Sequence, residues 1–169
     1  MNYYLSRRLT YQDETGNQVP VFDLDIDNMS MPLIVLGEPG IGKSSILEWL
    51  SKRHGWKMCH ARSFVEHPYP ARLVPPGGRL IIDGLDELSA AREFDPVNRV
   101  LGKLLQAECP NFALSCRSAD WRGASAKQEI SNVYNEQPRL LYLQPFDRAD
   151  AVAFLGSRLG ESRAEDVVA

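Results

Sequence analysis

An unbroken apolar run, Leu33-Ile34-Val35-Leu36, leads straight into Gly37-Glu38-Pro39-Gly40-Ile41-Gly42-Lys43-Ser44, and this junction constrains the fold more than any other part of the chain. Four successive branched aliphatic residues predict a strand buried on both faces, as inside a parallel sheet. The eight residues after it fit G-x-x-x-x-G-K-[ST]. In that pattern glycines let the backbone curl so that its N–H groups meet a polyphosphate at the positive end of a helix. A chance match in a chain of 169 residues is expected on the order of once in two hundred sequences, and the strand before and helix after lower that further. The pattern therefore predicts a nucleoside triphosphate, ATP, held by Gly37, Glu38, Pro39, Gly40, Ile41, Gly42, Lys43, Ser44 and Ser45. Lys43 is expected to reach the β and γ phosphates, and the Ser44 hydroxyl to ligate Mg²⁺. The competing reading is a glycine-rich turn that merely joins strand to helix.

Periodicity orders the rest of the chain. Lys43 to Arg53 reads as a helix with Ile46, Leu47 and Leu50 on one face and Gly55 just past its end. Trp56 to Cys59 is a weak second strand, and His67 to Gly78, with Pro68, Pro70, Pro75 and Pro76, reads as a connecting loop. Arg79 to Asp83 is another buried strand. Asp95-Pro96 makes a good helix start, a capping carboxylate with proline at the first helical position, before Val97, Val100, Leu101, Leu104 and Leu105 at helical spacing. Asn111 to Cys116 and Arg139 to Leu143 are the remaining strands, with a short helix near Ala124 to Val133 and a last one capped by Asp147. Strands alternating with helices predict a three-layer αβα sandwich with a mainly parallel sheet and ligands bound beyond the strands' carboxyl ends. The first thirty residues are polar, with a turn at Glu14 to Asn17, and read as an entry arm (1–30) before a core (31–146).

A second cluster suits the first. Leu80-Ile81-Ile82-Asp83-Gly84-Leu85-Asp86-Glu87 is an apolar strand ending in acids, as needed to set a carboxylate beside Mg²⁺ near a phosphate loop. Asp83 is the expected metal-side residue, and Asp86 and Glu87 are both candidates to orient or deprotonate water. On its own the cluster reads as a solvated strand end opening a loop; paired with a phosphate loop roughly forty residues upstream, it reads as the metal-side site. Arg117 follows directly after the third clear strand, which in this architecture runs between the other two and points its carboxyl end at a γ-phosphate; a cation there can stabilise that charge. As plain chemistry, Arg117 is as well explained by a surface loop. Cys59, His60 and His67 match no common zinc spacing, and Trp49 and Trp56 read as packing residues.

Bulk properties narrow the class. A length of 169 residues suits one domain, and 44% hydrophobic with 24% charged residues suits a globular chain. The formal charge of −3 and the lack of a basic stripe argue against nucleic acid as the main partner. Three cysteines with no C-x-x-C spacing fit reduced thiols, and no long uncharged apolar run suggests a membrane span. The expected location is the cytoplasm.

The same motifs resemble the signal-transducing STAND class of P-loop NTPases, in particular the NACHT-type domains of innate immune receptors and bacterial antiphage proteins. Asp83-Gly84-Leu85-Asp86-Glu87-Leu88 looks like the NACHT form of the acidic (Walker B) motif, with a small residue after the first Asp and two further acids. Leu114-Ser115-Cys116-Arg117 is similar to the family's sensor strand, and Leu143-Gln144-Pro145-Phe146 to the entry of its helical lid. The resemblance covers about Leu33 to Leu155. It implies an ATP-dependent switch of AAA+/STAND-like fold with slow, regulatory hydrolysis, and protein partners or self-association in a full-length context. It assigns phosphate and Mg²⁺ binding to Lys43 and Ser44, the Mg²⁺ shell to Asp83, water to Asp86 or Glu87, and the γ-phosphate to Arg117. Residues 147–169 would only begin the lid, so a fragment of a larger protein is the expectation. The alternatives are an AAA+-like motor ATPase and a scaffold that binds nucleotide without hydrolysing it.

Overall fold

A computed structural model of the chain describes residues 5–74, 77–88 and 95–159. In chain order its elements are β1 (Arg8–Gln12), β2 (Gln18–Phe22), β3 (Leu33–Gly37), α1 (Lys43–His54), β4 (Lys57–His60), α2 (Ala61–Glu66), β5 (Arg79–Asp83), α3 (Pro96–Gln106), β6 (Asn111–Arg117), α4 (Ala124–Tyr134), β7 (Arg139–Leu143) and α5 (Arg148–Leu159). All seven strands join one sheet in the order β2-β1-β7-β3-β6-β5-β4. The five strands from β7 to β4 are mutually parallel, while β1 pairs antiparallel with both β7 and β2. The protein is therefore α/β with a mostly parallel sheet, and β3 lies at its centre with every side chain buried.

Strand alternation sorts the core into two layers. Ile34, Leu36, Leu80, Ile82, Phe112, Leu114 and Cys116 point to the face covered by α2, α3 and α4, where Phe64, Val97, Val100, Leu101, Leu104, Ala126 and Ile130 meet them. Leu33, Val35, Ile81, Ala113 and Leu141 point to the opposite face, covered by Ile46, Leu47 and Leu50 of α1 together with Ile26 and Trp56. The helices obey their local signals. Asp95 accepts a hydrogen bond from the Val97 amide at 3.1 Å with Pro96 in the first turn, as its capping pattern predicts, and α1 ends at Gly55 in a left-handed conformation.

Three segments differ from expectation. The entry arm contains a hairpin, whose tight turn is closed by the Asp13 carboxylate accepting from the amides of Thr15 and Asn17, and it extends the sheet beyond β7. Its strands were obscured because only Leu9 is fully buried: β2 alternates merely between exposed and half-buried positions, and Pro20 interrupts its sequence. The outer strand β2 carries Pro20 at its middle, a residue tolerated on a sheet edge because it has no N–H to give to a ladder. The second departure is α2, a short helix with Ala61 and Phe64 buried; the third is a 3-10 turn at Pro70–Leu73 inside the proline-rich connection. Pro75 and Pro76 of that connection, and the lid segment beyond residue 159, lie outside the described residues. Trp56 is buried and Trp49 packs against the α1-side core, in keeping with a packing role. No helix among the described residues is long and apolar enough to cross a membrane.

Phe112 tests the larger core layer. Its side chain is 1% exposed and its ring centroid lies 5.2 Å from that of Tyr134. Phe112→Ala is expected to cost about 3–5 kcal/mol, read as a lower urea midpoint with an unchanged denaturant slope.

Candidate functional site

The turn after β3 is shaped by two backbone constraints and two side chains. Gly42 immediately precedes α1 with φ of 102°, a region that favours glycine, and a Cβ at this position would stand 2.7 Å from Arg7 Nη1. Glycine is thus favoured by its torsion, and a Cβ there would in addition displace the Arg7 guanidinium. Lys43 folds back into the turn, its Nζ donating to the carbonyl of Gly37 at 2.8 Å and of Glu38 at 3.0 Å. Glu38, Pro39 and Gly40 are exposed at the tip, Ile41, Gly42 and Lys43 are half-buried, and Ser44 and Ser45 lie exposed on the first turn of α1. The loop therefore presents its outer edge and the start of a helix to solvent at the carboxyl end of the sheet.

β6 brings the acidic cluster to the same edge. It runs parallel between β3 and β5, with Gly37 opposite Arg117 on one side and Ile82 opposite Leu114 on the other. Continuing that register, Asp83 stands level with Ser115, and both side chains fall on the α1 side of the sheet by alternation with Ile81 and Ala113. Asp83 is 5% exposed. Its Oδ1 accepts a hydrogen bond from Ser115 Oγ, which in turn accepts from the Gly84 amide at 2.8 Å. A buried carboxylate is costly without such partners. Gly84 has φ of 82°, which turns the chain abruptly after β5, and Glu87 folds over it with its carboxyl group 3.0 Å from where a Cβ would be.

Arg117 belongs to β6 as its last residue rather than to the loop after it. Its Nε makes an ion pair with Asp86 Oδ2 at 2.8 Å, joining two residues assigned opposite tasks by their sequence positions. The arginine is half-exposed and Asp86 is nearly enclosed, so water screens the pair only in part. Arg122, five residues beyond the strand end, pairs with Asp95 at the cap of α3. Between these elements lies the Cys116 thiol, pushed up to about 12 by burial, with Asp86 and Asp120 raising it further and Lys43 opposing them. Cys59 is likewise pushed up to about 11 by burial, and its Sγ lies 3.6 Å from the Ile81 carbonyl it donates to.

A groove of about 510 Å³ runs along the other flank of the loop, between the carboxyl ends of β3 and β7, walled by Leu36, Pro39, Tyr142, Leu143 and Pro145 with Ser118 at one end. The sequence motifs thus come together as Gly37 to Lys43, Asp83, Asp86 and Arg117 at one edge, with Glu87 turned onto Gly84. Two contributors escaped the sequence reading. Ser115 was detectable in principle, as the one hydroxyl in the apolar run Phe112 to Cys116. Arg7 left no trace: it stands beside Arg8 in a polar segment, yet it is 6% exposed and donates from Nη1 to the Ile41 carbonyl at 2.9 Å.

No protein-family model matches the sequence, and no curated protein matches it significantly.

Ser115→Ala would strip both the Asp83 carboxylate and the Gly84 amide of a buried partner. A loss of about 2–3 kcal/mol is expected, with Ser115→Thr retaining most of the stability if its hydroxyl keeps the same rotamer; calorimetric melting of the three proteins checks this.

Proposed function

We propose that this chain is an ATP-binding, slowly hydrolysing regulatory switch module of the NACHT/STAND class of P-loop NTPases, working with Mg²⁺ in the cytoplasm. The observation that carries the reading is the insertion of β6 between β3 and β5, which gathers the loop, the acidic turn and Arg117 at the carboxyl edge of one parallel sheet. Ligands of open α/β sheets bind at that edge.

The residues present suit the ligand. An exposed glycine-rich turn opening onto α1 offers backbone donors and a positive helix end to a polyphosphate. Lys43 already sits in the turn on two carbonyls, which a phosphate can replace as partners of its ammonium. The chemistry of Asp83 and the Ser44 hydroxyl, hard oxygen donors of which the carboxylate is oriented by Ser115, suits Mg²⁺. Bound Mg²⁺ would neutralise developing phosphate charge. The chain's own residues then divide the work: the loop holds the phosphates, Ser115 keeps Asp83 in one orientation, and Asp86 or Glu87 handles the water. Arg117 holds Asp86 through Nε at 2.8 Å, which orients the guanidinium while its other N–H donors can meet a terminal phosphate. Protein partners or self-association would then read out the nucleotide state in a longer protein.

Binding of a fluorescent ATP analogue with Mg²⁺ is the first test. Wild-type protein is expected to bind it and Lys43→Ala to lose at least about 100-fold in affinity, since a charge-assisted contact to phosphate is removed; equal binding by the two proteins rejects the site. Single-turnover hydrolysis follows, in which Glu87→Gln or Asp86→Asn should slow the chemical step by about 10²-fold or more with nucleotide affinity little changed. A scaffold that binds without hydrolysing predicts no turnover in wild type and no effect of either variant.

A further inference from the structure

Arg7 stands outside every motif, yet its side chain is the most elaborately held cation near the loop. It is 6% exposed. Nη1 donates to the Ile41 carbonyl and Nη2 to the Gln144 carbonyl, each at 2.9 Å, and the guanidinium carbon lies 4.0 Å from the centroid of the Phe146 ring. Its backbone is fixed as well: the amide donates to Asp23 Oδ2 at 2.9 Å, and the Asp23 amide donates to the Arg7 carbonyl at 3.1 Å. Asp23 is fully buried and also accepts from Ser6 Oγ at 2.6 Å. A guanidinium is planar and forked, so two carbonyls and a ring face define its place far better than they would that of an ammonium.

The consequence for the loop follows from peptide geometry. In a trans peptide the C=O of one residue and the N–H of the next point in opposite directions. Holding the Ile41 carbonyl against Arg7 therefore aims the Gly42 N–H away from it, and Gly42 is the residue at which the turn passes into α1. Lys43 secures the beginning of the turn through Gly37 and Glu38, whereas Arg7 secures its end. Gly42 completes the arrangement, because a Cβ there would stand 2.7 Å from Arg7 Nη1 and push the guanidinium from its place. Arg8 adds a parallel tie, pairing with Asp147 and with Asp150 at 2.9 Å, so the same short segment also grips the start of α5.

We propose that Arg7 is a positioning residue for the phosphate loop: it acts through the Ile41 carbonyl to preset the Gly42 N–H for an anionic ligand, and it ties the loop to the β7–α5 junction through Gln144 and Phe146. This rests on the nucleotide-binding reading above, and two measurements separate the two. Hydrogen exchange without nucleotide reads the clamp alone. Arg7→Ala should speed exchange across residues 40–46 by about tenfold or more while α3 and β6 keep their protection; unchanged exchange in the loop overturns the proposal, whether or not the protein binds nucleotide. Affinity for the fluorescent ATP analogue with Mg²⁺ then reads its effect. Arg7→Ala is expected to bind about 10- to 100-fold more weakly, and Arg7→Lys to recover only part of the loss, because one ammonium cannot serve both carbonyls and the ring. Full recovery by lysine would mean that charge alone matters and would overturn the positioning role, as would wild-type affinity in a folded Arg7→Ala protein with a lowered melting temperature. Wild-type protein that fails to bind the analogue would reject the nucleotide reading instead and leave the exchange result to decide the clamp.

Discussion

Everything at the carboxyl edge of this sheet depends on the register of one strand. β6 pairs with β3 so that Gly37 faces Arg117, and with β5 so that Ile82 faces Leu114. A parallel strand slipped by one residue would turn its alternating side chains to the wrong layer. Leu114 and Cys116 would leave the α3 side, and Ser115 would leave Asp83. Hydrophobic burial of Phe112, Leu114 and Cys116 on one face therefore enforces a polar geometry on the other. The apolar core and the hydroxyl–carboxylate bond specify the same alignment. Such agreement between packing and polar satisfaction marks a chain with one preferred structure.

Where the chain's local chemistry was strong, its form could be read in advance. The run at Leu33 to Leu36, the Asp95-Pro96 cap and the glycine after α1 each express a short-range rule, and the corresponding elements stand where those rules put them. The placement of β6 between its neighbours also followed from the alternation of strands and helices together with the two motifs. Hidden from such reading were features created by distant partners. The β1–β2 hairpin is held by its pairing with β7 and by the single buried side chain of Leu9, so its own pattern is faint. α2 is six residues long, too short for helical periodicity to emerge. Arg7 meets Ile41 and Gln144 across separations of 34 and 137 residues, and nothing local to residue 7 encodes either meeting.

The candidate site divides along the same line. Glycines and the lysine of the loop are required by backbone shape and charge, which a pattern can capture. The partners of Asp86 and Asp83 are chosen by the fold: Arg117 and Ser115 reach them from a strand some thirty residues away in the chain, as the Ser115–Asp83 separation of 32 illustrates. The pairing of Asp86 with Arg117 also shows why a list of functional residues is not yet a mechanism. Two groups expected to act on different atoms of one substrate hold each other here.

Pro20 has a consequence for the company this domain can keep. It occupies the middle of β2, the outermost strand on the hairpin side, and lacks the amide hydrogen that a further strand would need there. Two copies meeting side by side would find their hydrogen-bonding ladder interrupted at its centre. Lateral zippering into fibrils through this border is disfavoured by a single imino acid, and assembly, where it occurs, is steered toward surfaces other than this border.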